Sequence, residues 1–345
     1  MDDNNITNNY NANKYEIISC SFHNWYDKFT KITMKSIIIQ LPSSFIQYLN
    51  EDGIILPKSA DNDIVDHLSD DDDIKEIDDN NNDKNIIDFP ELISNINKSI
   101  EALGGEVFIK LNWSAPLDAT WINNGSMKCC NAGDIVLLLK SSDRIVFDLE
   151  HMFDLCKNDN NCNDTVFKDI LHNNMNNIHN DNIILVMRKW ANLNPSMEFR
   201  IFVYNNKLVG MCQRDVTTFY EFLNNDKDDI QDLLHDFFHD NIKEKFVINS
   251  YCIDIYIDRK KRIWIVDFNP FGNPTDSLLF EWHELVNFSD ESNFEMRTIE
   301  SRNDCYTSSK GANRGPIDVT MAPDFYQFMK IAKEQAKNDD YESKG

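Results

Sequence analysis

Asp254, Asp267 and Asn269 have the residue types and spacing to hold a divalent cation. They lie in VINSYCIDIYIDRKKRIWIVDFNPFG, which reads as a β-hairpin with a two-residue turn at Lys260–Lys261. That turn sets Asp254 opposite Asp267, and directly opposed residues of an antiparallel pair share a sheet face. Asn269, two residues further along, falls on the same face. Two carboxylates this close repel unless a cation lies between them or one takes a proton. Carboxylate and amide oxygens suit Mg²⁺ held jointly by protein, water and phosphate. The plainer alternatives are a turn cap at the strand end, or carboxylates that splay apart into solvent.

Several cations interrupt otherwise apolar text. Lys110 lies in EVFIKLNW, Arg188 and Lys189 precede Trp190, and Arg214 stands on the return strand of MEFRIFVYNNKLVGMCQRD. Glu198 and Arg200 alternate with Phe199 and Ile201, so both charges share one strand face. Charges among apolar residues need partners. Taken singly each reads as an ordinary ion pair; taken with the hairpin carboxylates they describe a triphosphate pocket between two lobes. Neither GxxxxGK[ST] nor GxGxxG occurs, so a nucleotide here is not held by a glycine-rich phosphate loop. No Ser-His-Asp or Cys-His pattern marks a nucleophile. The eight cysteines contain no CxxC pair and read as reduced thiols rather than a zinc site.

The elements that must position these residues are helices and strands without regular βαβ alternation, which predicts an α+β fold in two lobes. At 345 residues, with 41% hydrophobic residues, the chain has the material for two such units. Residues 1–18 read as a disordered Asn-rich head. Residues 19–182 read as an N-terminal lobe, 183–290 as a C-terminal lobe, and 291–345 as a polar, mostly irregular tail. Within the first lobe, Phe22, Trp25, Tyr26 and Phe29 fall on one helix face, as core or as a partner contact. Ser36–Leu41 and GIILP read as strands flanking the helix SSFIQYLNEDG, and FPELISNINKSIEALGG as an amphipathic helix. Residues 61–88 carry 12 acidic side chains against two lysines and read as a disordered insertion, dispensable for folding; residues 157–182 read as an expanded loop. Ser69, followed by Asp70, Asp71 and Asp72, has a context acidophilic kinases favour.

The formal net charge of −24 disfavours nucleic acid and anionic membrane surfaces and favours a basic protein partner. With neither a signal peptide nor an apolar run of about 18 residues, a cytoplasmic location is expected.

The segments KLNWSAP, KSSD, RKW, EFR, QRD, DIY and above all DFNPFGNPTDSLLF resemble the cell division cycle protein 123 family, over roughly residues 19–290. The resemblance implies an ATP-grasp fold that binds ATP–Mg²⁺. It also implies an assembly chaperone that joins the gamma subunit of eukaryotic translation initiation factor 2 to its alpha and beta partners. Carried over residue by residue, Lys110 contacts ATP phosphates, with Trp113 and Ala115 lining the site. Arg188, Lys189 and Trp190 form the hinge against adenine, Glu198 and Arg200 approach polar groups of the nucleotide, and Asp254, Asp267 and Asn269 hold Mg²⁺. Leu117 departs from the family pattern SAPRD, which carries arginine there. Two other readings stand beside the chaperone: an ATP-dependent carboxylate–amine ligase of the ATP-grasp type, and a scaffold with a vestigial site.

Overall fold

Two β-sheets organise the chain, and one strand of the first sheet serves both of the large hydrophobic cores. The computed structural model describes residues 11–60, 87–154, 156, 183–288 and 294–305. The first sheet is antiparallel, in the order β1 (Ser36–Gln40), β3 (Ile184–Lys189), β2 (Val107–Lys110). Strand alternation sends Leu185 and Met187 into a core with the helices α3 (Ser43–Asn50), α4 (Pro90–Leu103) and α5 (Ala132–Lys140). Ile184 and Val186 point the other way, into a core shared with the second sheet. The helix α4 starts with Pro90 in its first turn and ends at Gly104, whose φ of 105° suits glycine. Next comes α6 (Asp143–Glu150), capped by the Ser142 side chain, which accepts the Ile145 N–H.

The second sheet runs β7 (Ile263–Pro270), β6 (Tyr251–Ile257), β4 (Glu198–Tyr204), β5 (Lys207–Gln213), β8 (Glu295–Arg297), antiparallel except for the β5–β8 pair. One face packs Phe199, Ile201, Ile253, Ile255, Ile265 and Phe268 against α2 (Phe22–Phe29) and α8 (Lys227–Phe237), which follows the short α7 (Glu221–Asn225). The other face packs Phe202, Val209, Cys212 and Cys252 against Phe280 and Leu285, the latter on α9 (Trp282–Asn287). The turn of the β4–β5 hairpin is at Asn205–Asn206, both at positive φ.

The mixed helix-and-sheet class agrees with the sequence, but several boundaries move. The expected disordered head contains α1 (Lys14–Ser19), whose capping box pairs the Asn13 side chain with the Glu16 N–H and the Glu16 carboxylate with the Asn13 N–H. β3 pairs with β1 and β2, so residues 184–189 complete the first sheet rather than opening the second lobe. Conversely α2 packs on the second sheet: Trp25 meets Phe268 edge-on at 5.1 Å, and Phe22, Trp25 and Phe29 are buried, which makes the aromatic run core. The stretch GIILP forms no strand, and β8 lies within the expected irregular tail. Residues 61–86, including Ser69, and residues 157–182 lie outside the described residues. No described helix is long and apolar enough to cross a membrane, and no cluster of three or more His, Cys, Asp or Glu suited to a metal occurs among the described residues.

Candidate functional site

Asp254 and Asp267 do stand opposite each other, but by a different route from a two-residue turn. The loop spans residues 258–262, held by the Asp258 carboxylate, which accepts the Lys260 and Arg262 N–H groups. Pairing therefore starts at Ile257–Ile263, one residue out of the expected register. An irregularity at Val266 then adds one residue to β7, so that Asp254 meets Asp267 and Cys252 meets Asn269. The same bulge reverses the strand's parity. Ile263 and Ile265 enter the α2 core before it and Phe268 after it, which turns Asp267 and Asn269 to the opposite face. The Asn269 amide lies 3.3 Å from the Asp254 carboxylate.

Asp254 is buried beneath two arginines. Arg200, its cross-strand partner on β4, donates from Nε and Nη2, each at 2.7 Å, and Arg214 adds Nε at 3.1 Å. Burial alone would raise the Asp254 carboxyl, yet the two cations outweigh it and hold it well below the usual carboxylate range. Arg200 also donates from Nη1 to the Asp276 carbonyl at 2.7 Å. Glu198, opposite Tyr256, accepts the Arg214 N–H through its backbone carbonyl at 2.9 Å; burial raises its carboxyl.

Asp267 draws its counter-charge from the other sheet. Val107 and Ile109 of β2 enter the helix-side core, leaving Lys110 at the strand end, where its buried ammonium forms an ion pair with Asp267. Burial pushes the Asp267 carboxyl up, against the pull of Lys110 and Arg188. Arg188 shares the strand parity of Ile184 and Val186, so it too reaches the second sheet. It donates to the Val266 carbonyl at 2.5 Å, the Ile265 carbonyl at 3.3 Å and the Thr33 hydroxyl at 3.0 Å. Its Nε has no hydrogen-bond partner among the described residues, and burial lowers its guanidinium to about 10. Phe22 lies beneath both cations, its ring 5.4 Å from the Arg188 guanidinium and 5.8 Å from Lys110 Nζ.

The remaining sequence-predicted residues have their contacts elsewhere. Trp113 donates to the Ile17 carbonyl at 2.8 Å and meets Phe153 edge-on, tying its loop to α1. Ala115 packs against the helix-side core, as does the half-buried Trp190, and Lys189 is exposed. Arg188 bonds β7 rather than an open hinge surface. Sequence reasoning missed Thr33, whose hydroxyl donates to the Ile265 carbonyl at 2.8 Å, and Asp148 on α6. The Asp148 carboxylate accepts the Ser114 N–H at 2.7 Å and the Trp113 N–H at 3.4 Å, and so fixes the loop after Lys110. Burial raises Asp148 to about 6. Its signal was its spacing, three residues beyond Ile145 on the apolar face of DRIVFDLE; Thr33 has no comparable local signature.

The donors of the cluster are carboxylate and amide oxygens, the chemistry of a hard cation such as Mg²⁺. Both carboxylates are paired with cations of the chain itself. Comparison with known proteins matches the model of the D123 family over residues 25–323. The chain belongs to the D123 family. A translation initiation factor eIF2 assembly protein of Xenopus tropicalis is 34% identical over 333 residues, covering 93% of this chain and 91% of the relative. One from Dictyostelium discoideum is 39% identical over 310 residues, covering 77% and 75%. Among solved structures, Cdc123 from Schizosaccharomyces pombe aligns with a TM-score of 0.64 at 34% identity, over 84% of this chain and 98% of its own. The D123 match thus spans both sheets and every charged residue of the cluster.

Proposed function

We propose that this D123 chain is an ATP–Mg²⁺-binding assembly factor for eukaryotic translation initiation factor 2, acting on the gamma subunit. The relatives' description as eIF2 assembly proteins supports the assembly role. The observation that carries the nucleotide reading is the Lys110–Asp267 pair, which joins strands of two different sheets inside a cluster of cations. In this reading the phosphates lie between the two sheets.

In this reading Asp267 and Asn269 are the leading metal ligands, with Asp254 beside them, held in the ionised state by Arg200 and Arg214. Mg²⁺ held by these residues would supply positive charge to offset that of the phosphates. Lys110, the ion-pair partner of Asp267, would contact a phosphate oxygen. Arg188 keeps β3 joined to β7, so the sheets that line the cleft stay in register with each other. Asp148 holds the backbone of residues 113–114, which places Trp113 and Ala115 along the edge of the site.

The assembly reading is tested by capture of the isolated gamma subunit on this protein, with and without ATP–Mg²⁺ and across a salt series. Capture is expected to strengthen with ATP–Mg²⁺ and to weaken as salt rises, because the chain carries a net charge of −24. No capture under any of these conditions overturns the assignment of the partner.

A further inference from the structure

The strand β5 ends with a polar residue on an apolar face. Gln213 pairs with Phe199 across the β4–β5 ladder, and so shares the face that Phe199 and Met211 turn to the α2 core. It is 1% exposed, and a buried amide costs stability unless it is hydrogen-bonded. Its Nε2 donates to the Asp215 carbonyl at 2.5 Å and the Thr218 carbonyl at 3.0 Å, and its Oε1 accepts the Ile299 N–H at 2.8 Å. Two carbonyls on one side and an N–H on the other fix which way the amide faces.

These bonds bracket the residue that follows. Arg214 lies two positions beyond Cys212, the partner of Arg200, so strand alternation puts it on the Arg200 face, opposite to Gln213. There its Nε donates to Asp254 at 3.1 Å. The Glu198 carbonyl holds the backbone N–H of Arg214 at 2.9 Å, and Gln213 holds the next carbonyl, that of Asp215. The Asp215 carboxylate tightens the same loop, accepting the Thr217 N–H and hydroxyl and the Tyr220 hydroxyl. On its other side Gln213 grips the segment after β8. Asn224 of α7 holds that segment too: it accepts the Thr298 hydroxyl at 3.2 Å and donates to the Glu300 carbonyl at 3.3 Å. Arg200, in contrast, sits within β4 between β5 and β6 and takes its position from the ladder itself.

We propose that Gln213 is a positioning residue of the cleft, aiming Arg214 at Asp254 by fixing residues 215–218 against the segment after β8. That segment then bears on the metal cluster through Gln213. The consequence for ATP–Mg²⁺ rests on the nucleotide reading, in which Asp254 lies beside the metal ligands; the aim of Arg214 is measurable without a ligand.

The test records arginine Nε–H signals of the full chain by ¹⁵N NMR in wild type, Gln213→Met and Gln213→Glu, with Arg200→Lys and Arg214→Met assigning the two signals. Gln213→Glu keeps the shape and an acceptor for Ile299, and carries the test should Gln213→Met fail to fold. Solvent exchange at the Arg214 Nε–H is expected to quicken about tenfold in the Gln213 variants, the worth of one hydrogen bond. Exchange at the Arg200 Nε–H, on the same carboxylate, should stay near wild type. Calorimetry with ATP–Mg²⁺ should show a loss of about three- to tenfold, with no further loss when Gln213→Met is combined with Arg214→Met. Unchanged exchange at Arg214 overturns the proposal, as does equal quickening at both arginines, which marks a merely structural role. Faster exchange with unchanged ATP–Mg²⁺ affinity overturns the role in the cleft. Additive losses in the double variant overturn it too, since Gln213 then acts other than through Arg214. A wild-type chain that does not bind ATP–Mg²⁺ sinks the nucleotide reading, and the exchange rates alone then decide the aim of Arg214.

Discussion

Replacing Asp148 by asparagine should stabilise the protein at neutral pH. Asp148 is 3% exposed, its Oδ1 has no hydrogen-bond partner among the described residues, and burial moves its carboxyl from 3.8 to about 6. The folded value lies above the unfolded one, so the folded state binds the proton more tightly. The favourable contribution is complete below about pH 4 and is lost as pH rises to about 6. A rise from 3.8 to about 6 corresponds to roughly 3 kcal/mol of destabilisation at pH 7. An asparagine side chain at this position keeps one oxygen to accept the Ser114 N–H while removing the buried charge. Urea denaturation of Asp148→Asn should therefore show a gain of about 1–3 kcal/mol at pH 7.5, shrinking towards zero near pH 4.5. A variant that is less stable at pH 7.5, or a difference independent of pH, refutes the reasoning and makes the ionised carboxylate essential to the loop.

Trp25→Ala should cost about 3–5 kcal/mol in denaturant, because the ring is fully buried between Phe22 at 4.6 Å and Phe268 at 5.1 Å; a loss under about 1 kcal/mol contradicts its place in the core. Trp121→Ala, at a side chain 68% exposed, should change stability by no more than about 0.5 kcal/mol in the same assay. Gly210→Ala should cost about 1–3 kcal/mol, since a Cβ there meets Phe280 and Leu285 at 3.0 Å; a neutral melting temperature would mean that α9 moves aside freely.

Much of the site was legible because local patterns carry it. The alternation in EFRIFVY puts Arg200 on one face, and the IWIVDFN strand brings Asp267 and Asn269 to its end. The Asp254–Asp267 opposition was read correctly from a turn that does not exist; a longer loop and the bulge at Val266 offset each other. Lys110 and Arg188 were recognisable as cations in apolar strands. Their partners were not, because Asp267 and the carbonyls of residues 265–266 lie on a different sheet, distant in sequence. Tertiary pairing also decided the lobes: β3 follows residue 183 yet closes the first sheet, and α2 precedes β1 yet packs on the second. Hydrophobic periodicity identifies a buried face without saying which core it enters. The head was misjudged for a related reason, since Asn-rich text hid a capped helix whose Ile17 is buried.

The central claim is that Asp267 couples nucleotide to metal in the cleft between the sheets. The most direct measurement is the calorimetric affinity of ATP for the wild-type chain and for Asp267→Ala, each with Mg²⁺ and with EDTA. The wild-type chain should bind ATP more tightly with Mg²⁺ than with EDTA. The variant lacks a carboxylate ligand but keeps a freed Lys110, so it should bind ATP with an affinity that hardly responds to the metal. An undiminished Mg²⁺ enhancement in Asp267→Ala, or a wild-type chain indifferent to ATP, contradicts the account.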